Sequence, residues 1–240
     1  RIAIAHMRRP SLFRGMLRSV IFDLDCTLAD RSRSIDAYLQ PFLDRFGKAL
    51  DTADPKVIRE TLGRADGNGY AADTRAADII AGIDWSRPPR AATVDKHWHL
   101  TFPGCAVAME DAHDVLDELR EEGLSLGILT NGTVAAQEAK IARLGLDERV
   151  DAVIVSEALG VKKPDARIFE AVLEALDMDA DDAVYVGDHP VNDVQGATDA
   201  GLTAIWMRGW QEWPDDLPPA ELFVDRLAEV PPLLASLPDG

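Results

Sequence analysis

Two aspartates one residue apart close a short apolar run, Val20-Ile21-Phe22-Asp23-Leu24-Asp25-Cys26-Thr27-Leu28. A β-branched and aromatic run of this kind reads as a buried parallel strand, in which side chains at i and i+2 project to the same side. Asp23 and Asp25 are therefore expected together at a strand's carboxyl end, where open α/β sheets bind ligands. Carboxylates so close repel each other unless they share a cation or differ in protonation. Taken alone, the pattern reads more simply as a strand followed by an acid-rich turn. Three later stretches reverse that balance.

In Leu129-Thr130-Asn131-Gly132, Thr130 ends a second apolar run. Its hydroxyl and the amides of the following turn, at the start of a helix, can hold an oxyanion. Gly160-Val161-Lys162-Lys163-Pro164-Asp165 sets Lys163 before a proline that fixes the backbone at the mouth of the next helix. Val184-Tyr185-Val186-Gly187-Asp188-His189-Pro190-Val191-Asn192-Asp193 is again a buried run terminating in carboxylates, with Gly187 permitting a tight turn. Each stretch has a bland reading as a turn, a cap or solvated surface. Four polar strand ends, each bearing a group suited to a divalent cation or phosphate, are jointly much harder to ascribe to accident.

The elements that must position these groups follow from periodicity. Strands are expected at 124–130, 152–156, 183–187 and 202–207, alternating with helices at 111–122, 134–144, 166–176 and 192–200. Such alternation implies right-handed crossovers and a mostly parallel sheet with helices on both faces, a Rossmann-like α/β core. The block at 31–102 differs. Ile35, Leu39, Phe42, Leu43 and Phe46 recur at helical spacing, with Pro41 as an expected kink or break. Asp54-Pro55 reads as an N-cap with proline in the first helical position, opening a helix that Gly63 should end. Further helices are expected at 70–82 and 91–102, giving an all-helical insert at 31–102 within a core of 17–30 and 103–240. The tail carries a proline- and acid-rich loop at 210–219, a short strand at 222–224 and a helix at 231–237. Residues 1–16 read as an extension in which Met7 is a candidate natural start.

Composition bounds the function. With 240 residues, 47% hydrophobic and 28% charged, the chain can bury a sizeable core and is not disordered. A formal net charge of -17 argues against a nucleic acid polymer or an anionic membrane as partner. No apolar segment approaches the length of a membrane span, and no secretory signal is evident. Cys26 and Cys105 form neither a metal pair nor a disulfide framework, so a reducing cytoplasm is the simplest setting. His97-Trp98-His99 is a poor metal pair, because a helix puts i and i+2 on different faces. The acidic run Asp177, Asp179, Asp181, Asp182 lacks the glycine and terminal glutamate of a calcium loop and reads as a solvated turn. Arg31, Arg33 and Arg64 could face the site, with surface solvation the simpler role for each.

Asp23-Leu24-Asp25-Cys26-Thr27, Thr130, Lys163 before Pro164-Asp165, and Gly187-Asp188 with Asn192-Asp193 resemble, in order, the four motifs of the haloacid dehalogenase superfamily. The resemblance runs from about Val20 to Met207, and the helical insert looks like that superfamily's cap of the first type. Val186 to Ala197 is similar to its phosphatases of sugar phosphates and nucleotides, including the N-acylneuraminate-9-phosphatases and pyrimidine 5′-nucleotidases. What the resemblance implies is hydrolysis of a small phosphorylated metabolite through an aspartyl-phosphate by a monomer or homodimer. Asp23 is the implied nucleophile, and Asp25 the group that protonates the leaving oxygen and then activates water. Thr130, the Asn131 amide and Lys163 are the implied phosphate-binding groups.

At an effective dielectric near 20, one opposite charge at 4 Å contributes about 4 kcal/mol, so Lys163 alone cannot balance two or three carboxylates and a dianion. A divalent metal is expected, and oxygen ligands select Mg²⁺. The implied ligands are Asp23, Asp188 and the Asp25 main-chain carbonyl, with Asp193 either reaching the ion through water or orienting Lys163, and Asn192 beside it. Alternatives on the same core are a 2-haloacid dehalogenase, a phosphomutase or a non-catalytic phosphate-binding module. Asp25 speaks against the first, since a departing halide needs no proton.

Overall fold

The computed structural model describes residues 17–51 and 54–237; the expected extension at 1–16 lies outside them. Six strands form one parallel sheet: β1 (Ser19–Phe22), β2 (Ser125–Thr130), β3 (Ala152–Val155), β4 (Ala183–Gly187), β5 (Thr203–Met207) and β6 (Phe223–Val224). Their order across the sheet is β3-β2-β1-β4-β5-β6. The chain therefore winds outward from β1 in both directions. The switch point falls at its carboxyl end, where such sheets hold their ligands.

Alternation of side chains along the central strands builds two cores. Val20, Phe22, Leu126, Ile128, Val184 and Val186 face one layer, while Ile21, Leu129, Ala183 and Tyr185 face the other. Both faces are covered, which is why these strands read as continuous apolar runs. Gly127 has a packing reason: a Cβ there would meet Leu176 at 3.1 Å and Val172 at 3.3 Å.

Between β1 and the rest of the sheet lie α1 (Arg31–Phe46), α2 (Pro55–Asp66), α3 (Arg75–Ala81) and α4 (Ala91–Thr101). They enclose a third core of Ile35, Tyr38, Phe42, Phe46, Ile58, Leu62, Ile79, Val94, Trp98 and Phe102. Pro41 does not break α1. The carbonyl it leaves without a donor belongs to Ala37, which is exposed to water, while Tyr38, Phe42 and Phe46 fasten the helix from within. Gly63 does not end α2 either; the helix runs on to Asp66 and stops where Gly67 turns left-handed at φ 54°. Asp54 caps α2 as expected, accepting from the Lys56 amide at 2.9 Å. The helix expected at 70–82 is shorter, because the segment before Arg75 is a run of turns against the sheet domain.

The remaining helices are α5 (Ala112–Glu121), α6 (Val134–Leu144), α7 (Ser156–Leu159), α8 (Ala166–Leu176), α9 (Gly196–Asp199) and α10 (Val230–Ala235). The helix expected at 192–200 begins instead as a π-helical stretch over Pro190–Gln195. His189 caps that stretch, its Nδ1 accepting from the Val191 and Asn192 amides at 3.1 Å.

Phe42 is fully buried and lies 4.9 Å from the Phe46 ring and 6.1 Å from Tyr38, centroid to centroid. Phe42→Ala is expected to destabilise the insert by about 3–5 kcal/mol, measured by urea unfolding. A change under about 1 kcal/mol would mean that the aromatic core does not hold these helices together.

Candidate active site

β1 ends at Phe22, so Asp23 and Asp25 leave the regular pleat. The Asp23 amide still donates to the Val186 carbonyl at 2.9 Å. Beyond it the chain folds sharply: Cys26 is left-handed at φ 64°, and the Leu24 carbonyl accepts from the amides of Leu28 and Ala29 at 3.0 and 2.7 Å. The strand spacing therefore does not put the two carboxylates side by side around one shared cation. Each has an ammonium of its own.

For Asp23 that ammonium is Lys163, which donates to Asp23 Oδ1 at 2.6 Å, to Asp193 Oδ1 at 2.6 Å and to the Tyr185 hydroxyl at 2.8 Å. Asp23, Lys163, Asp188 and Asp193 are all buried, and the lysine's three donors are all used. Asn131 ties this strand end to the next: its side chain accepts from the Lys163 amide at 2.9 Å and donates to the Lys163 carbonyl at 3.1 Å. Asp193 is fixed at its second oxygen by the His189 amide at 2.9 Å. The approach of Asp193 to the strand requires glycine at 187, where a Cβ would sit 2.6 Å from the Asp193 side chain.

One oxygen each of Asp23, Asp188 and Asp193 lies within 4.8 Å of the others. Both Asp188 oxygens are buried without a hydrogen-bond donor, an arrangement native proteins seldom leave unexplained. Fully ionised, three carboxylates against one ammonium would leave excess negative charge among buried groups. The donor set is all oxygen, which fits a hard divalent cation. Asp193, with both oxygens committed, fits the role of orienting Lys163. The Asp25 side chain adds no oxygen to this cluster, leaving only its main-chain carbonyl for the ligand role implied above.

Asp25 faces a different set of groups. Lys140 donates to its two oxygens at 2.8 and 2.6 Å, Arg31 Nη1 lies 2.8 Å from Oδ1, and the Gln137 amide reaches Oδ2 at 3.2 Å. Gln137 also donates to the Thr130 hydroxyl oxygen at 2.6 Å. Arg31 is thus buried at the site, against the solvated role its sequence context suggests, because Asp25 and Asp66 supply its counter-charges. Arg33 and Arg64 are exposed as expected. His97 packs in the insert with Nδ1 2.7 Å from the Tyr38 hydroxyl, and the acidic run at 177–182 is a turn before β4.

Burial separates the two aspartates electrostatically. It raises the Asp23 carboxyl to about 7, with Asp193 pushing the same way and Lys163 opposing. Asp188 rises well above the usual carboxylate range through burial and its acidic neighbours Asp193 and Asp23. Burial pushes Asp25 up as well, but Lys140 and Arg31 outweigh it and hold the carboxyl well below its ordinary value. Lys140 is drawn down by burial and Arg31, with Asp25 opposing; one carboxylate facing two cations explains why the partners respond unequally.

A cavity of about 390 Å³ opens over these groups, lined by Asp23, Asp25, Tyr70, Thr130, Asn131, Lys162, Lys163 and Asn192. A larger cleft of about 540 Å³, lined by Arg31, Arg59, Arg64 and Trp210, contains neither Asp23 nor Lys163. Asp23, Asp25 and Lys163 open onto the smaller one.

The family model of the haloacid dehalogenase-like hydrolases matches residues 20–207. The chain belongs to that family. It is 30% identical over 200 residues to the glyceraldehyde 3-phosphate phosphatase of Pyrococcus abyssi, covering 80% of this chain and 82% of the relative. It is 34% identical over 205 residues to the pyrimidine 5′-nucleotidase PynA of Streptococcus pneumoniae, covering 78% and 82% respectively. The fold is shared with the HAD-hydrolase YfnB from Bacillus subtilis, at a TM-score of 0.70 and 22% identity over 92% of this chain and 99% of that one. With such relatives the chain is a phosphoric monoester hydrolase, and the family implies a divalent metal ion.

Within this dehalogenase-like frame, Lys140, Gln137, Arg31 and Asp66 stand outside the four motifs. A signal for two of them exists on α6, whose buried face comprises Gln137, Lys140, Ile141 and Leu144; two polar residues on an apolar helical stripe call for a partner. Arg31 and Asp66 carry no such signal, because their pairing joins residues 35 apart on two different helices.

Asp23 and Asp188 bind protons more tightly folded than unfolded, so each makes stability fall as pH rises between its unfolded and folded pKa. Asp25 has the opposite sign, but its window lies below the ordinary carboxylate value. In metal-free protein the melting temperature is therefore expected to contain a component that declines from about pH 4 to about pH 7. Asp188→Asn should flatten it and remove the stabilisation that an added divalent cation is expected to give wild type near pH 7. Identical pH profiles and metal responses in the two proteins, followed by calorimetry, would contradict this picture of the acidic cluster.

Proposed function

We propose that this chain is a Mg²⁺-dependent phosphatase that hydrolyses a sugar phosphate or nucleoside monophosphate through an aspartyl-phosphate on Asp23. The proposed division is a core of 17–30 and 103–240 with a cap of 31–102 above it. The observation that carries the reading is the buried Lys163 ammonium bound to Asp23 and Asp193, next to an Asp188 whose oxygens have no donor. The names of the relatives and the size of the cavity support a small ester as substrate. Two free thiols suit a reducing compartment such as the cytoplasm; among the described residues no helix is long and apolar enough to cross a membrane.

In the proposed reaction a carboxylate oxygen of Asp23 attacks phosphorus while the ester P–O bond breaks. The bonding pair leaves with the ester oxygen, which takes a proton from Asp25. Water then attacks the phosphorus of the aspartyl-phosphate as Asp25 takes its proton back, and inorganic phosphate departs with Asp23 regenerated. The Thr130 hydroxyl and the Asn131 amide hold the non-bridging oxygens, and the Lys163 ammonium, its hydrogens committed to Asp23, Asp193 and Tyr185, acts on the phosphoryl group through its charge. A bound Mg²⁺ supplies the positive charge that lets an anionic nucleophile meet an anionic ester.

Negative charge on the bound ester works against Lys140 and Arg31 and favours the protonated Asp25 that the first half needs. Once the leaving group has gone, the two cations favour the carboxylate that the second half needs. A displaced halide would ask nothing of Asp25 in this setting.

With Mg²⁺, the protein is expected to release inorganic phosphate from members of a panel of sugar phosphates and nucleoside monophosphates, and EDTA should stop it. Asp23→Asn should lower kcat by about three orders of magnitude or more. Wild-type turnover in that variant would exclude Asp23 as nucleophile. Absence of release from every ester, p-nitrophenyl phosphate included, would count against a phosphatase.

A further inference from the structure

Asp25 sits where two cavities meet. It lines the 390 Å³ space over Asp23 and also a second space of about 190 Å³ bordered by Arg31, Arg75, Trp98 and Lys140, which does not reach Lys163. An ester whose phosphorus lies at Asp23 would extend its leaving group past Asp25 into this second space. Where the Asp25 oxygens point therefore decides whether they meet the ester oxygen or turn toward the acidic cluster.

We propose that Lys140 and Arg31 are positioning residues for Asp25, gripping its two oxygens from the sheet domain and from the helical insert and holding them toward the leaving group. This assignment rests on the phosphatase reading above. Lys140 contacts both oxygens and is 5% exposed. Arg31 reaches Oδ1 through Nη1, its other two nitrogens being turned to Asp66: Nε and Nη2 bind that carboxylate at 2.5 and 2.9 Å. Asp66 is itself held by Arg75 at 3.1 Å, and Arg75 lies 4.6 Å over the Trp98 ring.

The result is a chain of alternating charges, Lys140–Asp25–Arg31–Asp66–Arg75, that starts on α6 and ends in the aromatic core of the insert. Buried ion pairs of this kind are poor sources of stability, and apolar replacements commonly do as well. Fixing one carboxylate from two sides is a task that apolar residues cannot perform. Asp66 thus acts on Asp25 through Arg31, and the grip is complete only with the insert seated as it is here.

The test compares single-turnover phosphoryl transfer from p-nitrophenyl phosphate, whose leaving group needs no proton, with transfer from the sugar phosphate or nucleotide that wild type turns over best. Lys140→Met should slow the latter by about 10–100-fold and the former by less than about threefold. Asp66→Asn should give the same pattern with smaller losses, and Lys140→Arg should recover part of the transfer from the natural-type ester. Equal slowing on both esters in Lys140→Met and Asp66→Asn, or no slowing in either variant, would overturn the assignment while leaving an active wild type as a phosphatase. Should Lys140→Met fail to fold, Asp66→Asn and Lys140→Arg decide by the same comparison. A wild type inactive on every ester would overturn the phosphatase reading and this assignment together.

Discussion

A single buried ammonium organises the carboxyl end of the sheet. Lys163 reaches Asp23 at the end of β1 and Asp193 in the π-helical turn after β4, with Tyr185 of β4 as third acceptor. Burying these charges is costly, and losing one member leaves the others unpaired in a dry environment. The surrounding backbone is shaped accordingly. Gly187 lets Asp193 approach the strand, and the π-helical stretch at Pro190–Gln195 gives the His189 amide to its second oxygen. π-Helical turns of this sort recur where a helix must aim one side chain at a site. Asp188, left without donors, is the carboxyl whose ionisation the lysine does not answer.

A second ammonium sets the two aspartates apart. Asp23 and Asp25 are one residue apart in sequence, yet the sharp turn through Cys26 hands them to different lysines. The consequence is opposite perturbation: one carboxyl is raised by burial among acids, the other lowered by two cations. Pairs of titratable groups driven apart in this way suit the separate nucleophilic and proton-transfer roles proposed for Asp23 and Asp25.

The helical insert contributes more than a roof. Its aromatic core places Arg31 and Arg75 over the Phe102 and Trp98 rings, at 5.1 and 4.6 Å, and Asp66 bridges the two guanidiniums. The turn after α2 meets the sheet domain directly, with the Asn68 amide donating to the Trp210 carbonyl at 2.6 Å and Tyr70 against the His189 ring at 4.6 Å. Packing inside the insert and electrostatics at Asp25 are therefore one connected structure.

Much of the fold was legible in the sequence. Buried parallel strands write themselves as apolar runs, and the polar groups that follow them, Asp23, Thr130, Lys163 and Asp188, stand out jointly, since each alone reads as an ordinary turn, cap or surface residue. Local rules also fixed the Asp54 cap and the solvated turn at 177–182. They failed at Gly63, where α2 runs on through the buried Ala65, and the break that Pro41 offered did not occur in a helix fastened by buried Tyr38 and Phe42. What only the tertiary structure decided is which charge meets which. Arg31, Asp66 and Lys140 lie on separate helices, and their pairing depends on how those helices pack rather than on any spacing along the chain. The sequence by itself determined the sheet, the helical insert and the residues at the strand ends, because periodicity and strand polarity are local properties. Three-dimensional packing determined that Asp23 and Asp25 would be electrostatic opposites, because a carboxylate takes its character from neighbours that are distant in sequence.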